Sequence, residues 1–320
     1  MTKVYLSAQL PNVATQTLEK AGLDVSSYDG DGLISHDELL KHVSDADFLI
    51  TPLSTKVDQE VIDAAPKLKL IANFGAGFNN IDTAYAKQKG IPVTNTPAVS
   101  TNAVAEVTIG LMLALSHRMV EGDHKMRNEG FPGWAPLYFL GHEIAGKTLG
   151  IFGLGNIGSD VARKANALGM NVQYYKPNRL SDPEERSMKV TYKPLADLIK
   201  TSDYITINAP QTPDTVHKFD AQAFKAMKKT ASIINVGRGP IIDEAALLDA
   251  LKSGEIASAA LDVYEKEPNV DDGFKSLKNV ILTPHVGNAT VEARDAMANI
   301  VADNVVLVNS GKDAKFVVNK

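Results

Sequence analysis

Cysteine is absent from this chain of 320 residues, and aromatic side chains are scarce, with a single tryptophan. The missing cysteine excludes disulfides, thiolate nucleophiles and cysteine-bound zinc. Long apolar runs are missing too, because the most apolar stretch, residues 109–115, is far shorter than the ~20 residues that span a bilayer. We therefore predict no membrane segment, and a cytoplasmic enzyme fits this composition.

The chain also has no excess of positive charge, since its net charge is -5 with 22% charged and 44% apolar residues. Such a balance argues against nucleic acid or an acidic membrane as a partner. The apolar content and length are those of a globular protein with room for two domains. Any anion that binds here must be held by local groups.

A glycine pattern in the middle of the chain is the strongest motif. A strand-like run at residues 148–152 leads into Gly153, Leu154, Gly155, Asn156, Ile157 and Gly158. Six residues of this kind also occur in ordinary turns, but here a helical pattern at 159–168 and a second strand at 171–175 follow. This order predicts a dinucleotide site, with the pyrophosphate at the helix N-terminus.

The second strand ends at Lys176, where a carboxylate would bind the ribose 2′-hydroxyl of NAD. Lys176, Asn178 and Arg179 would instead accommodate a 2′-phosphate, although both cations could also be solvated loop charges. One or two charge-assisted contacts contribute about 1.5–3 kcal/mol. We therefore predict NADP as the cofactor, with NADPH preferred over NADH by roughly ten- to hundredfold.

Strands and helices alternate along the chain, which predicts parallel sheets covered by helices. The predicted strands are residues 3–7, 46–51, 68–74, 148–152, 171–175, 202–207, 231–236, 257–263 and 280–282. The predicted helices include residues 13–21, 38–43, 57–65, a buried connecting helix at 103–128 and a last helix at 291–308. Residues 315–318 are expected to return to the first domain.

These elements predict an α/β fold of two doubly wound parallel-sheet domains. A Rossmann-type cofactor domain, residues 100–287 with the connecting helix, is inserted into a flavodoxin-like substrate-binding domain, residues 1–99 and 288–320. The insertion predicts a cleft between them. Ligands of such sheets bind beyond the carboxyl ends of the strands.

Three side chains that could carry chemistry follow predicted strands of the second series. Arg238 lies between two glycines and offers paired donors for a carboxylate. His285 lies in a Thr-Pro-His-Val-Gly turn, and Glu267 follows strand 257–263. A carboxylate beside an imidazole stabilises its protonated form.

Each of these side chains has a structural alternative when it is taken alone. Glu267 could be one more solvated charge of an acidic loop, and His285 could be a turn residue. Together, at strand ends of a dinucleotide fold, they supply a carboxylate clamp, an orienting base and a proton donor for reducing a ketone beside a carboxylate.

The sequence resembles the D-2-hydroxyacid dehydrogenases, especially the glyoxylate/hydroxypyruvate reductase branch, over nearly its whole length. The motifs that carry the resemblance are ordered along the chain. They are Asn73-Phe74-Gly75-Ala76-Gly77-Phe78-Asn79-Asn80-Ile81-Asp82, Asn95-Thr96-Pro97, Gly146-Lys147-Thr148-Leu149-Gly150 through Gly158, Asn235-Val236-Gly237-Arg238-Gly239, Leu261-Asp262-Val263, Glu267-Pro268 and Thr283-Pro284-His285-Val286-Gly287.

The resemblance implies a role for each matching residue. Arg238 would hold the substrate carboxylate and polarise the keto oxygen, His285 would protonate that oxygen, and Glu267 would pair with His285. The amides of Ala76 and Gly77 would cradle the carboxylate. Leu53 is a separate candidate for the lining of the substrate pocket. The remaining expected cofactor contacts are Thr101, Ala209, Pro210, Thr215, Val236, Gly237, Asp262 and Gly287, together with Arg238 and His285.

The resemblance further implies a D-hydroxyacid product and a homodimer with the connecting helix in its interface. Trp134 resembles the reductase tryptophan that helps close the substrate pocket, although packing in a core or interface is an equal alternative. Asn79 stands where many members carry aspartate. Phe78 and Tyr138 are further candidates for the substrate pocket.

Two other functions remain open. One is a dinucleotide-sensing, corepressor-like binding protein of the same fold, and the other is an NAD-dependent D-lactate-type dehydrogenase. A metal enzyme has little support, because only His117 and His124 could share a helix face and nothing else converges on them.

Overall fold

The computed structural model describes all 320 residues, which form two compact units. Unit 1 comprises Met1–Ser100 and Ala289–Lys320, and unit 2 comprises Thr101–Asn288. These bounds differ by one residue from the predicted domain limits. The chain thus leaves unit 1 once, builds unit 2, and returns.

Twelve strands form the two sheets. They are β1 Lys3–Leu6, β2 Asp24–Ser27, β3 Phe48–Pro52, β4 Leu70–Phe74, β5 Val93–Thr94, β6 Thr148–Phe152, β7 Asn171–Tyr175, β8 Val190–Tyr192, β9 Tyr204–Ile207, β10 Ser232–Asn235, β11 Ser258–Leu261 and β12 Val280–Leu282.

Thirteen α-helices accompany the strands. They are α1 Asn12–Lys20, α2 His36–Val43, α3 Gln59–Asp63, α4 Thr83–Gln88, α5 Thr101–Ser116, α6 Met119–Asn128, α7 Asn156–Ala167, α8 Asp182–Met188, α9 Leu195–Thr201, α10 Ala221–Ala226, α11 Glu244–Ser253, α12 Asp272–Lys275 and α13 Val291–Asn309. A short 3₁₀ turn occupies Gly239–Ile241.

The sheet of unit 1 has the strand order β2-β1-β3-β4-β5 and is parallel throughout. Its inner strands are buried on both faces of the sheet. Helices α1 and α13 cover one of these two faces. Residues 315–318 return to this unit, where Val318 N donates to Val93 O at 2.8 Å. The order is that of a flavodoxin-like sheet.

The sheet of unit 2 has the order β12-β11-β10-β9-β6-β7-β8 and is also parallel throughout. The chain order reverses between β6 and β9, which is the switch point where Rossmann-type sheets bind a dinucleotide. Both sheets therefore confirm the predicted fold class. Short strands β2, β5 and β8 were not predicted.

The connecting helix is not the single helix predicted for residues 103–128. It breaks into α5 and α6, which meet at 61°, because Arg118 adopts a left-handed conformation with φ 55°. Its guanidinium is bound by Glu121 and lies 4.0 Å from the Phe139 ring centroid. Half of α5 is buried, whereas no residue of α6 is.

Neither helix alone is long and apolar enough to cross a membrane. Only the two bent helices combined reach the length and apolar composition of a span.

Candidate active site

The loop after β6 fits a dinucleotide because its glycines allow two close approaches. Gly153 has φ +98°, and a Cβ there would lie 2.6 Å from Ala209 N. A Cβ at Gly158 would overlap the Gly153 carbonyl, so α7 packs directly against the turn. Around Gly155 nothing lies within 4 Å of a Cβ position, which leaves the backbone open to a ligand.

The N-terminus of α7 faces this opening and has no side-chain cap at Gly155. The first-turn amides of Asn156, Ile157 and Gly158 have no intrahelical acceptor by helix geometry. Leu154 is buried in the core beneath them. A pyrophosphate would satisfy these amides and the helix dipole together, so the residues present fit a dinucleotide cofactor.

Lys176 and Arg179 follow β7, but only Arg179 is bound by carboxylates of the chain. Arg179 Nε donates to Glu185 Oε1 at 2.9 Å, and its Nη2 contacts Asp182 at 3.2 Å. Lys176 is half-buried and forms no hydrogen bond or salt bridge within the chain. Asn178 between them is exposed. Of these two cations, Arg179 is therefore the one already bound by carboxylates of the chain.

A buried tyrosine fixes the loop that carries these residues. Tyr174 donates to Glu185 Oε1 at 2.7 Å and accepts from Leu180 N at 2.9 Å. Burial and the Glu185 hydrogen bond raise the pKa of Tyr174 to about 12, despite opposing contributions from Leu180 N and Arg179. The phenol therefore stays a donor at neutral pH.

The loop after β9 carries three of the expected cofactor contacts. Ala209 is buried, Pro210 is exposed, and Thr215 closes the turn by donating to Pro210 O at 2.9 Å. Thr101 begins α5, and Val236 directly follows β10. All of these residues belong to unit 2.

The loop after β10 holds Arg238 in a defined conformation. Asn235, which is buried, accepts from Gly237 N and donates to Arg238 O, both at 3.0 Å. The Arg238 Nη1 donates to Gly237 O at 2.7 Å. A Cβ at Gly239 would overlap the backbone of Tyr264, so glycine brings this loop against the one that carries Glu267.

His285 and Glu267 are hydrogen-bonded, with 2.9 Å between His285 Nδ1 and Glu267 Oε2. The other Glu267 oxygen, Oε1, accepts from Tyr264 N at 3.1 Å. Because Nδ1 faces the carboxylate, the second ring nitrogen of His285, Nε2, is the one that can face a substrate. This is the pairing that an orienting base and a proton donor require.

Two pKa shifts describe the charge of this group. Burial by itself would raise the pKa of Glu267, but the hydrogen bond and charge of His285, aided by Tyr264 N and Arg238, bring it below its ordinary value. Burial lowers the pKa of Arg238, and the charge of Glu267 opposes this. Arginine nevertheless stays charged at any physiological pH.

Asp262 fixes the backbone around His285. Its Oδ1 accepts from Thr283 Oγ1 at 2.6 Å and from Val286 N at 2.8 Å, and its Oδ2 accepts from Gly287 N at 2.8 Å. His285 has φ 54°, a left-handed conformation that costs free energy outside glycine. The three bonds hold it there. Asp262 was expected to contact cofactor, and the structure adds this anchoring contact.

In unit 1, the loop after β4 presents Ala76 and Gly77, whose amides have no acceptor within the chain. Leu53 follows β3, and Phe78 lies further along the loop, both half-buried. Asn80 joins the two loops by donating to Pro52 O at 3.1 Å and Thr55 O at 2.9 Å. Asn79 is exposed, and its side chain forms no hydrogen bond.

Trp134 is 85% exposed, so it is not packed in the core of either unit. Tyr138 is half-buried, and its hydroxyl has no partner. No group of three or more His, Asp or Glu side chains is arranged to hold a metal ion.

Three residues at the site were given no role of their own by the sequence analysis. They are Asn235, Thr283 and Tyr264, whose hydroxyl donates to Thr283 O at 2.8 Å. An asparagine before Gly-Arg-Gly is a typical turn residue that binds its own loop, so Asn235 had a recognisable pattern. Tyr264 and Thr283 join the segments that follow β11 and β12, and no local sequence pattern predicts such a contact.

Comparison with known proteins gives consistent matches. A family model described as the NAD-binding domain of D-isomer-specific 2-hydroxyacid dehydrogenases matches residues 109–287. A Staphylococcus aureus (strain MRSA252) protein, provisionally named a 2-hydroxyacid dehydrogenase, is 54% identical over 319 residues and 100% of both chains.

Two solved structures extend the comparison to the whole fold. A protein of Thermus thermophilus is 34% identical with a TM-score of 0.94, over 99% of this chain and 100% of that one. An NADPH-dependent glyoxylate/hydroxypyruvate reductase of Sinorhizobium meliloti, in complex with NADP and malonate, is 32% identical with a TM-score of 0.83, over 99% and 96% of the two chains.

Proposed function

The chain belongs to the D-isomer-specific 2-hydroxyacid dehydrogenase family, and on that premise we propose that it reduces a 2-ketoacid to the D-2-hydroxyacid with NADPH. Glyoxylate, hydroxypyruvate and bulkier 2-ketoacids are the candidate substrates. The observation that carries the proposal is the His285–Glu267 pair at 2.9 Å, with Arg238 close enough to lower the pKa of Glu267. The family membership and the oxidoreductase class confirm what the sequence predicted.

Each catalytic side chain has a part in this reduction. Bound NADPH supplies a hydride to the keto carbon. Arg238 binds the substrate carboxylate and polarises the keto oxygen. His285, as imidazolium, gives that oxygen its proton, and the ionised Glu267 stabilises the imidazolium and orients the ring. Hydride and proton together convert the ketone into a hydroxyl group.

NADPH rather than NADH is proposed because Lys176, unlike Arg179, forms no hydrogen bond or salt bridge with a carboxylate of the chain. A 2′-phosphate beside it would gain a charge-assisted contact that NADH lacks, whereas Arg179 already has two carboxylate partners. The reductase similar to this chain was solved with NADP, which supports the same cofactor here.

Replacing Lys176 by aspartate should reverse this selectivity. We expect the wild type to favour NADPH by about ten- to hundredfold in kcat/KM, and Lys176→Asp to favour NADH, because the new carboxylate repels the phosphate and accepts from the ribose hydroxyl. The measurement is kcat/KM for both cofactors with one ketoacid. Lys200→Asp, the same change on an exposed helix position, is the control, and an unchanged ratio in Lys176→Asp would assign selectivity elsewhere.

We also propose a homodimer that forms through an exposed apolar surface of unit 2, the arm surface. It contains seven of the thirteen exposed large hydrophobic residues within residues 119–140. They are Met119, Val120, Met126, Phe131, Trp134, Leu137 and Leu140. Exposed apolar side chains concentrated in one segment support an interface there, because monomeric proteins rarely expose large apolar surfaces.

A charge in the arm surface should dissociate the dimer. Leu137 is 84% exposed in one chain, so Leu137→Glu leaves the core intact while it buries a carboxylate in the interface. Sedimentation equilibrium should give twice the chain mass of 34.3 kDa for the wild type and the single chain mass for the variant. Leu33→Glu, at an exposed position of unit 1, should stay dimeric. A monomeric wild type would refute the proposal.

A further inference from the structure

Three successive carbonyl groups in the loop after β4 are held by neighbouring donors. Gly75 O accepts from Asn73 Nδ2 at 2.9 Å and from Thr96 N at 3.0 Å. Ala76 O accepts from Asn95 Nδ2 at 2.7 Å, and Gly77 O accepts from Asn73 Nδ2 at 2.7 Å. Two asparagine side chains thus bind the carbonyls of three consecutive residues.

Peptide geometry then sets the direction of the next amides. The peptide bonds here are trans, so each N–H points away from the carbonyl of its own peptide group. Because the carbonyls of residues 75–77 point toward these side-chain donors, the amides of Ala76, Gly77 and Phe78 point away from them. None of these three amides donates to an acceptor within the chain. Successive amides that face one way form a concavity that binds anions.

The chemistry of asparagine is needed at both positions. Asn73 is fully buried in β4, and its single amino group serves two carbonyls. An aspartate of the same size could not donate in this way when ionised, and its charge would oppose an anion. The same reasoning applies to Asn95, which is only half-buried.

We propose that Asn73 and Asn95 are positioning residues, whose side-chain amides aim the Ala76, Gly77 and Phe78 N–H groups at the substrate carboxylate. The inference rests on the proposed function, because it takes the bound anion to be the carboxylate of a 2-ketoacid. It adds two residues that do not touch the substrate but set its affinity.

The test compares Asn73→Asp and Asn95→Asp with the wild type. Both should raise KM for the ketoacid by about 10- to 100-fold with kcat changed less than about threefold, because the carboxylate contact is equal in ground and transition states. Oxalate, titrated by calorimetry into the NADPH-bound protein, should lose affinity by the same factor. NADPH affinity should not change.

Thr94→Val is the matched control. Thr94 is buried in the neighbouring strand β5, and its hydroxyl has no partner, so the substitution keeps the size and leaves the loop carbonyls bound. Its KM should equal that of the wild type. Since Asn73 is fully buried, Asn95→Asp also tests the proposal by itself if Asn73→Asp does not fold.

Two results distinguish failure of the proposed function from failure of the positioning role. A wild type that reduces no 2-ketoacid would contradict the proposed function. A wild type that is active, together with a folded Asn95→Asp that keeps its KM and its oxalate affinity, would overturn the positioning role alone.

Discussion

His285→Ala should lower kcat for ketoacid reduction by ~10²–10⁴, which is the usual contribution of a positioned general acid. His285 is paired with Glu267 and held in a left-handed conformation by the bonds of Asp262 around it. Such anchoring fixes the ring for proton transfer. The affinity for NADPH should survive, because the glycine loop and Lys176 remain. Steady-state kinetics and fluorescence titration of NADPH measure the two quantities.

The matched control is His142→Ala, since His142 is an exposed histidine of the same unit. It should keep the wild-type kcat. Full turnover in His285→Ala would remove His285 from the mechanism.

The pH profile of the same reaction tests the part played by Glu267. The pKa of Glu267 lies below its ordinary value, so this carboxylate stays ionised throughout the neutral range and loses its charge only in acid. We therefore expect kcat to fall in acid, where Glu267 becomes protonated and no longer orients the His285 ring as a charged acceptor. In the companion variant Glu267→Gln, which has no carboxylate to protonate, this fall in acid should be absent.

Arg238→Ala should lower kcat/KM by about 10²–10⁴. Two charge-assisted hydrogen bonds to a carboxylate contribute about 1.5–3 kcal/mol each, and each 1.4 kcal/mol corresponds to tenfold. Asn235 and the close contact at Gly239 hold the loop that presents this guanidinium. The kcat/KM of Arg238→Lys should lie between those of the wild type and Arg238→Ala, because lysine keeps the charge without the paired donors.

Arg163→Ala is the arginine control, because Arg163 lies exposed on α7 and binds Asp160. Kinetics with the wild type and the three variants test the clamp directly. If Arg238→Ala keeps the wild-type kcat/KM, another group binds the substrate carboxylate.

Much of this fold could be predicted from local sequence patterns. Buried strands such as β4 and β6 are mostly apolar. The glycine pattern after β6 predicts the helix that follows, because the tight turn and the close packing at its start require glycine. The short edge strand β2, Asp24–Ser27, alternates exposed and half-buried residues, so no apolar run announced it. The break at Arg118 was missed because arginine favours helix, and its left-handed conformation depends on Glu121 and Phe139.

The predicted site residues differ in how far the sequence could place them. Arg238, Glu267 and His285 follow strands of one sheet, and parallel topology brings such positions to one edge. The pairing of Arg179 with Glu185 depends on a turn into α8, and the binding of loop carbonyls by Asn73 depends on the path of its own loop. Neither contact follows from residue type or periodicity, because each depends on where the folded backbone places the two partners.

The most direct test of the central claim is the product formed from phenylpyruvate or hydroxypyruvate with NADPH. Absorbance at the reduced-nicotinamide band follows oxidation of NADPH, and chiral chromatography identifies the hydroxyacid. We predict one D-2-hydroxyacid for each NADPH oxidised by the wild type, and almost none with His285→Ala. Formation of the L-hydroxyacid, or no turnover of any 2-ketoacid by the wild type, would contradict the account.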